Sequence, residues 1–210
     1  MRVLLFANGE LPSRALVAEF AALADLVVAA DGGADRALTC GIVPGAAVGD
    51  FDSISDEARA AVGAANLHHA PNADQTDLQK ALLWAIAQGA SRVDVVAAGG
   101  GRLDHLLANL SLLVLSRGQA EVRLVDDFFE TRLVDGEAVV DAPVHTVVSL
   151  MPIGVCEGVT TEGLRWDLRD RTLQFSPLGV HNEVARPPAH VRVRTGDLLL
   201  LKGRWVEKHG

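Results

Sequence analysis

The stretch "DLVVAADGGADRALTCG" (residues 25–41) decides the fold. Residues 25–31 hold a short, valine-rich apolar run between two aspartates, which predicts a strand buried on both faces. Asp31-Gly32-Gly33 interrupts it, and residues 33–41 carry a short helical pattern closed by Gly41. A buried strand feeding a helix through a glycine turn is one βα unit. The unit repeats in both directions. Upstream stand a strand at 2–8 and a helix at 13–24. Downstream come a strand at 45–50, a helix at 55–65 capped by Ser55, a short extended piece at 68–73 and a helix at 74–89. That last helix carries an apolar stripe at Leu78, Ala81, Leu82, Ala85 and Ile86, with Gly89 at its end. A strand at 92–100, a helix at 103–118 and a strand at 121–127 complete the series. The pattern predicts an α/β fold whose N-terminal part is a mostly parallel sheet with helices on both faces.

After Asp127 the helical periodicity stops. Short apolar stretches alternate with turns at Asp135-Gly136, Pro152, Gly154, Gly158, Gly163, Gly179 and Gly196-Asp197. Short strands between frequent turns predict a smaller all-β, sandwich-like domain. The expected division is 1–130 for the α/β domain and 131–210 for the β domain.

Composition narrows the function classes. Apolar residues make up 49% and charged residues 22%, as in globular chains, and the net charge is −8. With no basic surplus, general nucleic-acid binding is disfavoured. A cationic ligand suits this field, as does phosphate held through a divalent metal. No window approaches the roughly 20 apolar residues of a membrane span. The apolar run Val3–Ala7 is shorter than the roughly 7–15 residues of a secretory signal and reads as a first buried strand. Cys40 and Cys156 lie far apart in no metal-ligand spacing. Both are expected to be reduced, buried thiols of a cytoplasmic protein.

Ligands of open parallel sheets collect beyond the carboxyl ends of the strands, and there the predicted strands run into polar residues. The first ends in Asn8-Gly9, the second in Asp31, the third in "GDFDS" (49–53); "DQTD" (74–77) opens a helix and "GGGRLDH" (99–105) follows the fourth long strand. Asp50 and Asp52 project to one side if the extended conformation continues through Phe51. Their repulsion is relieved by a divalent cation, and Mg²⁺ takes hard carboxylate oxygens. The competing reading is a turn in which Asp52 or Ser53 caps the next helix. Asp74 and Asp77 share one face of a first helical turn, with Thr76 between them and Lys80 beyond. They suit metal or hydroxyl contact with Lys80 on phosphate, or else an Asp74 cap and a surface Asp77–Lys80 pair. Gly99–Gly101 permits close backbone approach to a ligand and Arg102 offers a fork to phosphate. Asp104 suits a helix cap and His105 a structural hydrogen bond. The glycines match neither a Walker A loop nor GxGxxG, and no HExxH or GxSxG occurs.

In order, "ADGGADRAL" (30–38), "GDFDSIS" (49–55), "DQTDLQKAL" (74–82), "GGRLDHLLANL" (100–110) and "TTEGLRWDLRDRTLQFSPLGVHNEV" (160–184) resemble the ordered motifs of thiamine pyrophosphokinases. The resemblance runs through essentially the whole chain. It implies an α/β catalytic, nucleotide-binding domain, a β-sandwich that binds thiamine, and a homodimer with active sites near the subunit interface. It implies transfer from ATP to thiamine with Mg²⁺, giving AMP and thiamine diphosphate. Carried over by motif, Asp50, Asp52 and Asp74 are expected at the metal, and Asp31, Asp52, Asp77 and Arg102 at the reacting groups. Gln75, Thr76, Lys80, Arg102, Asp104 and His105 are expected at the nucleotide, and Asn182 at thiamine, with His181 where the family pattern leads one to expect serine. Three alternatives stand beside this reading: a phosphohydrolase built on the Asp50–Asp52 pair, a pyrophosphokinase for another alcohol such as a hydroxymethylpterin, and a non-catalytic sensing module.

Overall fold

A computed structural model describes residues 1–207. The chain divides into two compact units, Met1–Asp127 and Phe128 onward.

The first unit alternates strands and helices in chain order: β1 (Arg2–Phe6), α1 (Arg14–Ala21), β2 (Leu26–Ala30), α2 (Gly33–Thr39), β3 (Ala46–Gly49), α3 (Asp56–Val62), β4 (Leu67–His69), α4 (Asp77–Ala87), β5 (Arg92–Val96), α5 (Leu103–Leu115) and β6 (Glu121–Val125). All six strands are parallel, in the order β4-β3-β2-β1-β5-β6. The order reverses between β1 and β5, so the crevice expected to take a ligand opens beyond Phe6 and Val96. On one face Leu4, Phe6, Ala29, Ala47 and Val96 pack against Leu16, Val17 and Phe20 of α1, Ala34 and Ala37 of α2, and Ala58 and Val62 of α3. Alternation turns Val3, Leu5, Val28, Val93 and Val95 the other way, all fully buried. The Leu78, Ala81, Leu82, Ala85 stripe of α4 is buried against β1–β3, and Leu112 and Leu113 of α5 are buried with it. Helices therefore cover both faces.

The elements are shorter than their sequence patterns, because the polar ends leave the ladder to build the site. The piece at 68–73 is strand only at Leu67–His69. Helix α4 starts at Asp77, not Asp74; its cap is Thr76, whose hydroxyl accepts from the Gln79 amide at 3.2 Å. Ser55 caps α3 by accepting from the Ala58 amide at 3.1 Å. A side chain on Gly33 would put Cβ 2.2 Å from the Phe6 carbonyl oxygen, so α2 can start against β1 only with glycine there. Cys156 is buried as expected; Cys40 is only half-buried, and neither forms a disulfide.

One polar residue interrupts the apolar strands. Asp94 of β5 is 1% exposed and accepts from Arg2 Nε at 2.8 Å and Arg123 Nε at 2.6 Å. Both guanidinium groups lie over the Phe20 ring. The cluster joins β1, β5 and β6 within the core.

The second unit is antiparallel: β7 (Phe129–Val134), β8 (Glu137–Val140), β9 (Thr146–Glu162), β10 (Arg171–Gln174), β11 (Asn182–Glu183), β12 (Ala189–Arg192) and β13 (Thr195–Val206). The long β9 serves two sheets. Its first part pairs with β13, which pairs with β7; its last part pairs with β12, which pairs with β8. The passage runs through Gly154 and Gly158, at φ 80° and 67°, where a non-glycine residue would be strained. Between the sheets lie Val148, Leu150, Val159, Leu173, Val191, Leu198 and Leu200. Among the described residues no helix is long and apolar enough to cross a membrane.

Candidate active site

A cavity of about 520 Å³ occupies the switch point of the parallel sheet. Its wall includes Asn8 to Glu10 after β1, Asp31 after β2, Thr76 and Asp77 at the start of α4, and Gly99–Arg102 after β5.

Carboxylate oxygens of Asp31, Asp50 and Asp77 lie within 4.8 Å of one another. Each comes from a different element, and local backbone geometry aims each one. Asp31 has φ 45°, a left-handed conformation that turns its side chain off the end of β2. It is 2% exposed and accepts from the Ser53 and Ile54 amides, both at 3.1 Å. Gly49 leaves the room these acids occupy: a Cβ there would sit 2.8 Å from Asp31 Cβ and 3.2 Å from Asp77 Oδ1.

Phe51 also has positive φ, 66°, so the extended conformation does not continue through "DFD". Arg59 fixes this turn by donating to the Phe51 carbonyl and stacking on its ring. Asp50 and Asp52 therefore do not share a strand face. Asp50 points to Asp77. Asp52 accepts from Ser53 Oγ at 2.7 Å and lies near enough to Asp31 for its charge to raise the Asp31 pKa. Asp74 is exposed in the turn before α4, its amide on Asn72 Oδ1, and Gln75 follows it half-buried. Neither belongs to the three-carboxylate group.

Lys80 is buried, not a surface residue. Its Nζ lies 2.9 Å from Asp77 and 3.4 Å from Asp50. Burial by itself lowers its pKa, but bonds and charge from Asp77 and then Asp50 outweigh this and raise it. Lys80 stays charged, and three carboxylates with one ammonium leave the cluster net negative. Burial, reinforced by Asp77 and Asp52, raises the pKa of Asp31 to about 6, against the lowering pull of the Ser53 amide.

The sign of this shift sets a pH dependence. The folded, metal-free protein holds a proton on Asp31 that the unfolded chain releases nearer pH 3.8. The resulting stability is fully present below pH 3.8 and is lost as pH rises through 6. Asp31→Asn is expected to gain on the wild type by roughly 1–2 kcal/mol between pH 4 and pH 7, allowing for screening in the open cavity. Urea denaturation in chelator at several pH values measures this difference; a pH-independent gap would refute it.

At the glycine-rich end, Gly100 and Gly101 have φ 78° and 64°. Arg102 occupies the cap position of α5 and forks onto Asp104 at 3.1 and 2.6 Å, both side chains exposed. That pairing holds the Asp104 carboxyl low, at about 2. Asp104 does not cap the helix. His105 and Asn109, one helical turn apart, both line the cavity, and Asn109 Nδ2 donates to the Ala98 carbonyl at 2.8 Å. Sequence reasoning does not single out Asn109 or Arg36. Asn109 has a signal, a lone amide four residues after His105 in an apolar run. Arg36 has none, since an arginine on a short helix is commonplace.

In the second unit, Asn182 is buried and bonds through both ends of its amide. Its Oδ1 accepts from the Trp166 and Glu183 amides at 3.2 and 2.9 Å, and its Nδ2 donates to the Trp166 carbonyl at 2.9 Å. Trp166 itself is exposed, with the Arg165 guanidinium 4.9 Å from its ring centre. Arg165 also bonds the buried Glu183, whose other oxygen meets His145 Nδ1 at 2.8 Å. Asn182 thus holds an aromatic residue in place. His181 is exposed, donates its amide to Ser149 Oγ at 2.9 Å and pairs with Glu207 at 3.3 Å. Asn182→Ala is expected to cost about 1–3 kcal/mol, because it orphans three backbone groups. Urea denaturation checks this, and an unchanged midpoint would refute the clamp.

An acidic cluster facing a glycine-rich loop at the switch point of a parallel sheet defines a phosphate-handling α/β protein. The family model described as thiamin pyrophosphokinase, catalytic domain, matches residues 17–124, and the model described as thiamin pyrophosphokinase, vitamin B1 binding domain, matches residues 138–200. The chain belongs to the thiamine pyrophosphokinase family. It is 37% identical to thiamine pyrophosphokinase of Bacillus subtilis over 105 residues, 48% of this chain and 49% of that protein. The alignment thus spans about half the length of that curated relative. The crystal structure of the Bacillus subtilis protein superposes with a TM-score of 0.82 at 25% identity, covering 97% of this chain and 99% of that one. A thiamin pyrophosphokinase family protein from Enterococcus faecalis superposes at 0.81 with 27% identity, covering 98% and 100%.

Proposed function

We propose that this protein transfers the pyrophosphoryl group of ATP to the hydroxyl of thiamine, giving thiamine diphosphate and AMP. The observation that carries this reading is the three-carboxylate cluster, two of whose members, Asp31 and Asp77, line one cavity with the glycine-rich loop, in a chain of this family. Residues 1–130 serve as the catalytic, nucleotide-binding part and 131–210 as the thiamine-binding part, in a cytoplasmic homodimer.

Three converging carboxylates are a hard-oxygen donor set of the kind Mg²⁺ takes. Asp31, Asp50 and Asp77 would hold it, in preference to the Asp50, Asp52 and Asp74 set expected from the motifs. When bound, the ion supplies charge neutralisation to phosphate oxygens. The protein's own groups do the rest. Lys80 offsets the charge of Asp50 and Asp77. The Gly99–Gly101 backbone lets the phosphate chain approach closely, with Thr76, Arg102 and His105 along the same wall. Asp52, exposed and outside the triad, orients the attacking hydroxyl and takes its proton. The oxygen attacks the β-phosphorus and the bond to the α-phosphate oxygen breaks, so AMP leaves. Trp166, held by Asn182 and left open on the surface, offers a flat face for the pyrimidine ring.

The test is AMP release from ATP and Mg²⁺ with thiamine, with hydroxymethylpterin and with no acceptor. AMP formed only with thiamine supports the reading. ADP, inorganic phosphate from a monoester, or AMP made equally without thiamine would overturn it.

A further inference from the structure

We propose that Arg36 is a phosphate-binding residue of this site, a role resting on the nucleotide reading above, and that Asn8 is its positioning residue. Two arginines line the cavity, and they differ in what already engages them. Arg102 is forked onto Asp104, so its guanidinium must break or share two charged bonds to take a phosphate. Arg36 makes no ion pair among the described residues. Its neighbour Asp35 is turned away, accepting from the Ser55 amide and hydroxyl. The bond from Arg36 is to a neutral group: Nε donates to Asn8 Oδ1 at 3.3 Å.

That one bond orients the guanidinium. With Nε held by Asn8, the terminal nitrogens remain available as a two-donor fork, the geometry that matches phosphate oxygens. Asn8 is itself confined, since Gly32 closes on it so tightly that an added Cβ would lie 2.4 Å from Nδ2. The turn that ends β2 therefore serves two purposes. It swings Asp31 toward the acidic cluster and makes room for the amide that aims Arg36. Arg36, Asp31 and Ser53 share the cavity wall. An unpaired cation beside a net-negative cluster suits a ligand whose phosphate chain meets the cluster through metal and Arg36 directly.

The test is calorimetric titration, with Mg²⁺ present, of the whole protein and its Arg36→Ala, Arg36→Lys and Asn8→Ala variants. The probes are a non-hydrolysable ATP analogue and adenosine. Arg36→Ala is expected to weaken the triphosphate about ten- to a hundredfold while changing adenosine less than about threefold. Arg36→Lys recovers part of the loss, because charge remains without the fork, and it controls for folding at this exposed position. Asn8→Ala gives a smaller, triphosphate-specific loss. Triphosphate binding by Arg36→Ala within about threefold of wild type, or an equal loss for adenosine, would overturn the proposal. A wild type that binds the triphosphate but releases no AMP with thiamine would overturn the pyrophosphokinase reading and leave Arg36's role standing. A wild type that binds no triphosphate would overturn both.

Discussion

Asp77→Asn should form AMP about 10²- to 10³-fold more slowly than the wild type at saturating ATP, thiamine and Mg²⁺. The substitution keeps the shape of the side chain and removes one charge. Asp77 stands where three demands meet: it completes the cluster with Asp31 and Asp50, holds Lys80 at 2.9 Å, and reaches into the space left by Gly49. Asparagine offers one neutral oxygen to a cation, and its amide hydrogens face the Lys80 ammonium. The remaining Asp31 and Asp50 no longer outweigh that ammonium by the same margin, so the cluster attracts a divalent ion less. The measurement is the steady-state rate of AMP release across a Mg²⁺ titration, with thermal melting as a check on folding. Activity within about threefold of the wild type in a folded variant would remove Asp77 from the site.

The second large effect is on stability, far from the chemistry. Asp94→Ala should cost about 3–5 kcal/mol, because it removes the buried carboxylate that two guanidinium groups share at a core position. Arg123 is the more deeply buried of the two, and Arg2 keeps partial access to water. Both also lie over Phe20, so reorganising either one disturbs the packing of α1 on the sheet. Asp94→Asn keeps an oxygen acceptor and should cost less. Urea denaturation gives both values. A loss under about 1 kcal/mol for the alanine variant would mean that the arginines find water without disturbing the core.

These two residues differ in how readable they are. Asp77 lies in "DQTD", where acids at a helix start invite a functional reading. Asp94 lies inside a strand pattern, where one polar residue has no local explanation. Its partners are 92 and 29 residues away, on neighbouring strands. Arg36 is similar: it becomes informative only once its cavity wall is known. Asn182 reads as a ligand group in sequence, and only the structure shows that its amide also bonds the Trp166 backbone.

The sequence by itself determined the repeat of strand and helix, the loss of helical periodicity after Asp127, and the gathering of polar groups at strand ends. Those features follow from local rules: apolar periodicity shows which face a segment buries, and glycine marks where the chain turns. Tertiary structure decided which acids meet. "DFD" looked like a pair because a strand repeats every two residues, but the left-handed Phe51 breaks that repeat and sends Asp50 and Asp52 to different partners. "DQTD" looked like a pair because a helix brings residues three apart together, but the helix begins at Asp77 and leaves Asp74 outside. Asp31, Asp50 and Asp77 converge because parallel pairing sets the ends of β2 and β3 side by side, α4 packs its start against those two strands, and Gly49 leaves space between the acids. Such a meeting depends on register and turn conformation between distant segments, and no local period encodes either.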